Sequence, residues 1–268
     1  MTATTGILFD GLRRLGLEAG DVVLQHPSFK ALGPVAGGPA AALDALLAAV
    51  GPEDTLLAFV SWDRSPYDAF VSGPGLSPGE RAAWPAFDPS TAGVDRAIAG
   101  VLGGLLAGHP AAARSANPDL SFAAVGRDAR ALVEGHALDH GFGPGSPLDR
   151  LAGAGGKVLL LGAPLGSATI VHHAEYLCDV PGKLTVEYEV PILVGGRKVW
   201  RPVTQLDSNG FLAVIKARGE DHVAEAVRAY LPLGRYREGR VGEAWCHLFD
   251  AADLLAHAVR HLEGRYGG

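Results

Sequence analysis

Two hydrophobic periods organise this chain. In residues 5–17, Ile7, Leu8, Leu12 and Leu15 recur at helical spacing, which predicts an amphipathic helix. Gly20 and Asp21 break that pattern, and VVLQH (22–26) follows as a short apolar run suited to a buried strand. A Gly/Pro-rich loop, PSFKALGPVAGGP, then leads into a predicted helix over 41–50, stopped at Gly51-Pro52, and a second buried strand over 55–62. Further on come a helix over 93–107, a strand over 121–126, a helix in DARALVEGHAL and a strongly apolar strand over 157–162. SATIVHHAEYLC reads as a helix capped by Ser167 or Thr169. Helices alternating with strands that are apolar throughout predict an α/β fold with a mainly parallel central sheet flanked by helices.

Beyond Pro181 the period changes. LTVEYEVPIL and KVWRPVTQL are β-rich, and Val194-Gly195-Gly196-Arg197 between them is a hairpin signal. This predicts an antiparallel hairpin appended to the core, within a smaller C-terminal lobe. Residues 1–268 then form a single domain, with a substrate-binding sub-lobe at about 181–245. The chain ends in DAADLLAHAVRHLEGRY, a helix with Leu254, Leu255, Ala258, Val259 and Leu262 on one face. Segment 63–92 is too long for a plain connector and reads as a binding loop.

The 268 residues are 48% hydrophobic and 19% charged, which suits a folded globular core. A formal net charge of −6 argues against a nucleic-acid partner and is compatible with a cationic substrate. Two distant cysteines, Cys178 and Cys246, give neither a disulfide framework nor a metal pair, which favours a reduced, cytoplasmic setting. No signal-peptide pattern or membrane-length apolar run is expected to place the protein at a membrane.

TIVHHAEYL (169–177) carries the sharpest chemistry. On a helix His172 and Glu175 are i and i+3 and share a face, so the carboxylate can orient the imidazole and raise its basicity. His173 points about 100° away, because each helical residue advances by 360°/3.6. Adjacent helical histidines do not converge on one ion as an i, i+4 pair does, so no metal is expected. By spacing alone, a packed helix histidine beside a surface glutamate explains the motif more economically. The same holds for HPSFKALGPVAGGP, where a Gly/Pro turn competes with an anion-binding loop, and for ARSANPDLSF, where a helix-terminal arginine competes with a ligand contact. Cys178 is six residues from His172, on another face, and makes an improbable nucleophile.

Together and in order, however, these segments resemble the aminoglycoside 3-N-acetyltransferase family. The resemblance runs over about residues 5–265, through GDVVLQHPSFKALGPVAGGP, FDPSTA, RSANPDLSFAAVG, HALDHGFGPGSPLDRL, KVLLLGAPL, VHHAEYL, VPILVGGRKVW and GRVGEAWCHLFDAADL. It implies transfer of an acetyl group from acetyl-CoA to the 3-amino group of a 2-deoxystreptamine aminoglycoside, with antibiotic resistance as the outcome and no metal. The alternative is transfer to another amine by the same fold. The family's motif histidine falls on His172 and its glutamate on Glu175, and the catalytic aspartate that assists the histidine falls on Asp207, beyond the hairpin. The CoA side falls on His26, Ser28, Phe29, Lys30, Ala31, Leu32, Gly37 and Gly38, and on Arg114, Ser115 and Asn117. Trp62, Asp63, Tyr67, Asp68, Glu220 and Asp221 are the candidates to hold the cationic drug. Pro27 and Gln205 depart from the family's pattern. The partners expected are the aminoglycoside and coenzyme A, on a monomer or homodimer.

Overall fold

A computed structural model describes residues 2–51 and 54–267. In chain order its elements are α1 (Thr5–Leu15), β1 (Val22–Pro27), α2 (Gly38–Val50), β2 (Thr55–Phe59), α3 (Tyr67–Val71), α4 (Pro78–Ala83), α5 (Arg96–Ala107), β3 (Ala113–Arg114), β4 (Phe122–Gly126), α6 (Ala129–Val133) and α7 (Pro147–Gly153). There follow β5 (Lys157–Leu161), α8 (Ile170–Leu177), β6 (Thr185–Val194), β7 (Arg197–Leu206), α9 (Ala213–Arg218), α10 (His222–Tyr230), β8 (Tyr236–Val241), β9 (Ala244–Asp250) and α11 (Ala251–Tyr266). Gly51 ends α2 as expected, while Pro52 lies outside the described residues.

Seven strands form one sheet in the order β3-β4-β2-β1-β5-β9-β8. The three central strands, β2, β1 and β5, run parallel, and the flanking strands pair antiparallel. Successive side chains of β1 alternate between the faces. Val23 joins the core made with α1, α2 and α5, and Leu24 joins the core made with α6, α7, α8, α10 and α11. Burial on both faces explains why VVL, TLLA and KVLLL are apolar without alternation. No helix among the described residues is long and apolar enough to cross a membrane.

The hairpin is present, and β6 and β7 form their own two-stranded sheet. Gly195 and Gly196 both have positive φ (57° and 76°), as a two-residue hairpin turn of this hand requires. Residues 181–245 do not stay apart from the main sheet, because β8 joins its edge. Segment 63–92 is more ordered than a plain loop. It carries α3 and α4, and its apolar residues Tyr67, Phe70 and Val71 pack on Tyr188, Val190 and Val203 of the hairpin. Arg81 pairs with Glu189 and lies over the Trp200 ring at 4.5 Å.

The carboxyl ends of β1, β2 and β5 face the same way, and the chain leaves them in different directions. Such a point in an open α/β sheet leaves a crevice above the strand ends. Segments 61–68 after β2 and 163–177 after β5 build its walls.

Candidate active site

Helix α8 supplies the central group. Neither Ser167 nor Thr169 caps it with a side chain; the chain enters α8 from a tight turn at Leu165–Ser167, with Thr169 already helical. One turn along, His172 Nδ1 lies 2.7 Å from Glu175 Oε1. The same oxygen lies 2.6 Å from His222 Nε2, at the start of α10. An ionised carboxylate only accepts, so both imidazoles present N–H to it. His172 therefore carries its proton on Nδ1 and keeps a lone pair on Nε2. Its ring stacks on Phe142, with centroids 5.4 Å apart and planes 11° off parallel.

Glu175 is 1% exposed. Burial alone would lower the His172 pKa and raise that of Glu175. Their mutual charge and hydrogen bond reverse both effects, with Asp221 also favouring the imidazolium and His222 the carboxylate. The result is a histidine held above its ordinary value beside a carboxylate held below its own. His173 has a separate task. It is fully buried, its Nδ1 donates to the Phe142 carbonyl at 2.7 Å, and burial lowers its pKa. One histidine thus supports the backbone of Phe142 while the other stacks on its ring.

His172 opens into a cavity of about 480 Å³. Trp62, Asp63, Tyr67 and Asp68 line it, as the sequence suggested. Asp95, Asp119, Tyr176, Tyr188, Gln205 and Asn209 line it as well. With Glu175, the wall holds five carboxylates and, among the described residues, no lysine or arginine. Asp119 is buried; desolvation raises its pKa, against hydrogen bonds from Ser65 and Tyr188. A wall of this sign attracts cations.

Three expected positions sit elsewhere. Asp207 accepts from Lys216 at 2.6 Å and from the Asn209 N–H at 3.0 Å, and the partner of His172 is Glu175 instead. Glu220 lies outside the cavity wall and is bound by Arg218, Arg265 and Tyr266. Asp221 caps α10 by accepting from the Ala224 N–H at 2.9 Å, and it too is outside the wall. Acids that look free in sequence are here used by neighbouring cations and a helix terminus.

On the expected cofactor side, His26 reaches a smaller cavity next to the first. Leu32 is buried in the core, and Phe29 and Ala31 pack against that core. Of this turn's side chains, Ser28 and exposed Lys30 are left to meet a ligand, while Gly37 and Gly38 turn the chain into α2 with positive φ. Arg114, Ser115 and Asn117 hold the fold. Arg114 donates to the carbonyls of Ser61, Ala92 and Gly93 and to Ser121 Oγ. Burial lowers its pKa to about 10. Ser115 Oγ meets the Phe122 N–H and His136, and Asn117 donates to the carbonyls of Ala137 and Leu138. Arg114→Met should therefore cost about 1–3 kcal/mol, because the buried Ser61 carbonyl and Ser121 hydroxyl and the half-buried Ala92 carbonyl lose their donor at once. Thermal unfolding should show a drop of several degrees; an unchanged midpoint would contradict this clamp role.

Gln205, the other departure from the family pattern, spans the wall and the loop behind it. Its Oε1 accepts from the Gly141 N–H at 2.7 Å, and its Nε2 donates to the Leu138 carbonyl. His172, Glu175 and His222 also place three potential metal-ligand atoms within 4.8 Å of one another. In this structure both histidine nitrogens hydrogen-bond to the Glu175 oxygen. Both cysteines are buried, and burial raises both thiol pKa values, that of Cys246 to about 11. Neither is an activated nucleophile.

The sequence profile of the family described as aminoglycoside 3-N-acetyltransferase matches residues 24–263. An aminoglycoside N(3)-acetyltransferase III from Salmonella sp is 45% identical over 266 residues, covering 98% of this chain and 93% of the relative. The chain belongs to the aminoglycoside 3-N-acetyltransferase family. Solved relatives share its shape. A sisomicin-bound AAC-VIa superimposes with a TM-score of 0.95 at 38% identity, covering 100% of each chain. A binary complex of AAC-IIIb with CoASH gives 0.93 at 38% identity, over 99% of this chain and 98% of the other. The range matched to the acetyltransferase family contains the entire cavity wall, the His172–Glu175 pair and His222.

Proposed function

We propose that this protein transfers the acetyl group of acetyl-CoA to the 3-amino group of 2-deoxystreptamine aminoglycosides in the cytoplasm, conferring resistance, with His172 as general base. One observation carries the reading: the lone pair of His172 Nε2 serves an acid-walled cavity while a buried carboxylate holds Nδ1–H. An ammonium cannot attack a thioester. The acidic wall collects the polycationic substrate, and His172 takes the proton that its reacting nitrogen must lose. The freed amine adds to the thioester carbonyl, the tetrahedral intermediate collapses, and the C–S bond breaks. The products are the acetamide and CoA, and the proton on His172 passes to the departing sulfur or to water. Family membership, the acidic wall and the paired histidine support this reading together. A single functional unit is supported by the wall, which draws on residues from Phe59 to Asn209, and by Glu175, which gains its second partner from α10.

The test is thiol release from acetyl-CoA, followed with a chromogenic thiol reagent, across gentamicin, sisomicin, tobramycin, kanamycin, neomycin and apramycin. Rapid release with some of these is expected, with the acetyl group located on N3 by mass spectrometry and NMR. Silence with all of them, in folded protein that binds CoA, would shift the acceptor to a different amine.

A further inference from the structure

A second cavity, of about 260 Å³, opens above the end of β1. It shares Phe59, Ile98 and Thr169 with the first, so the two adjoin. Ala58, Ala97, Ala99 and Ala163 line it, and no lysine, arginine, aspartate or glutamate is among its lining residues. Two of its polar members are unusual. Gln25 is 1% exposed, yet its amide nitrogen and oxygen are both buried without a hydrogen-bond partner. His26 Nε2 is likewise buried and unpartnered. Burial, with the nearby His172 charge, lowers the His26 pKa to about 3, so this group is neutral at physiological pH.

A buried carboxamide with neither half satisfied is rare in folded proteins and calls for an explanation. Desolvation of both groups is unfavourable, and an apolar side chain of the same length would fit without that cost. The unsatisfied pair offers one donor and one acceptor, which a chain carrying successive amides meets with the carbonyl of one and the N–H of the next. The lining carries polar atoms but no charged side chain to pair with a phosphate or a polyamine. Acetyl-CoA presents its thioester on a neutral arm in which methylenes alternate with two secondary amides. That arm must end at the cavity holding His172.

We propose that Gln25 is a recognition residue for the pantetheine arm of acetyl-CoA, donating Nε2–H to the carbonyl of one amide of the arm and accepting the N–H of the other at Oε1. This rests on the acetyl-CoA reading above. Gln25 acts on donor binding and stays clear of the proton transfer.

The experiment compares wild type with Gln25→Leu and Gln25→Met, measuring CoA affinity by calorimetry, the thermal midpoint without ligand, and steady-state kinetics. The expected result is a roughly tenfold weaker CoA affinity and a similar rise in KM for acetyl-CoA in both variants, with kcat changed by less than about threefold. Without ligand, both variants should melt at or above the wild-type temperature, because an unsatisfied buried group has been removed. A merely structural glutamine would behave in the opposite way, with a lower midpoint. Variants that bind CoA as wild type does, or that lose affinity only together with several degrees of stability, would overturn the proposal. Wild-type protein that binds no CoA would instead overturn the acetyl-CoA reading itself, and the proposal with it.

Discussion

Replacing His172 with alanine lowers kcat for acetyl transfer by about 10²-fold or more, while the protein stays folded and still binds CoA. The expectation follows from geometry. His172 joins the catalytic cavity to a buried carboxylate, and it is the one basic side chain among the cavity's described lining residues. Without it the ammonium substrate must lose its proton to water, and the attacking nitrogen has no positioned acceptor. His173→Ala is the internal control. It frees the Phe142 carbonyl and leaves a void in a fully buried position, so its main cost is in stability. Steady-state kinetics and thermal melts on both variants separate the two roles. An equal loss of kcat from each would count against His172 as the base.

Glu175→Gln has the second large effect, with two signatures. The amide keeps the shape but cannot stabilise an imidazolium, so kcat falls by about 10- to 10²-fold. The pH profile moves as well. Catalysis needs neutral His172, whose pKa is raised because the Glu175 charge and hydrogen bond outweigh burial. The acid limb of kcat/KM in wild type should then lie above the ordinary histidine value of about 6.5. In Glu175→Gln burial prevails, and that limb should move to lower pH. Stability follows the same linkage. The depressed Glu175 pKa contributes stability present above its unfolded value of about 4.3 and lost as pH falls through the folded one. The raised His172 pKa contributes stability present below about 6.5 and lost as pH rises through its folded value. The melting difference between wild type and variant should therefore be largest between about pH 4.3 and 6.5. An acid limb that does not move would separate Glu175 from the basicity of His172.

Local spacing made half of this site readable. His172 and Glu175 are one helical turn apart, so any helix over 170–177 brings them together. The central strands were readable for a related reason: burial on both faces leaves unbroken apolar runs. The hairpin was marked by two consecutive glycines at a turn that needs positive φ at both.

What was missed depends on topology. His222 lies 47 residues from Glu175, and only the packing of α10 beside α8 places them in contact. Asp95 and Asp119 enter the wall from separate segments, and Asp95 stands near no motif that the spacing could single out. Asp119 does fall within ARSANPDLSF, where Arg114, Ser115 and Asn117 drew the attention. Those three are committed to backbone groups, a hydroxyl and the His136 ring within the fold. Conversely, Glu220 and Asp221 resemble substrate acids only until Arg265, Tyr266 and the α10 terminus claim them. The edge strand β8 and its neighbour β9 also escaped the hydrophobic reading. Arg237, Glu238 and Arg240 make β8 polar, as an exposed edge tends to be, although buried Ala244, Cys246 and Leu248 do alternate along β9.

The central claim is that His172 is held as the Nδ1–H tautomer by Glu175, with Nε2 free to accept a proton. Nitrogen-15 NMR of the histidine side chains across a pH titration tests it most directly, with the His172 signals assigned by their loss in His172→Ala. The account predicts a protonated Nδ1 and an acceptor Nε2 at alkaline pH, with a pKa above the ordinary histidine range. A proton on Nε2 in the neutral form, or a pKa below that range, would contradict it.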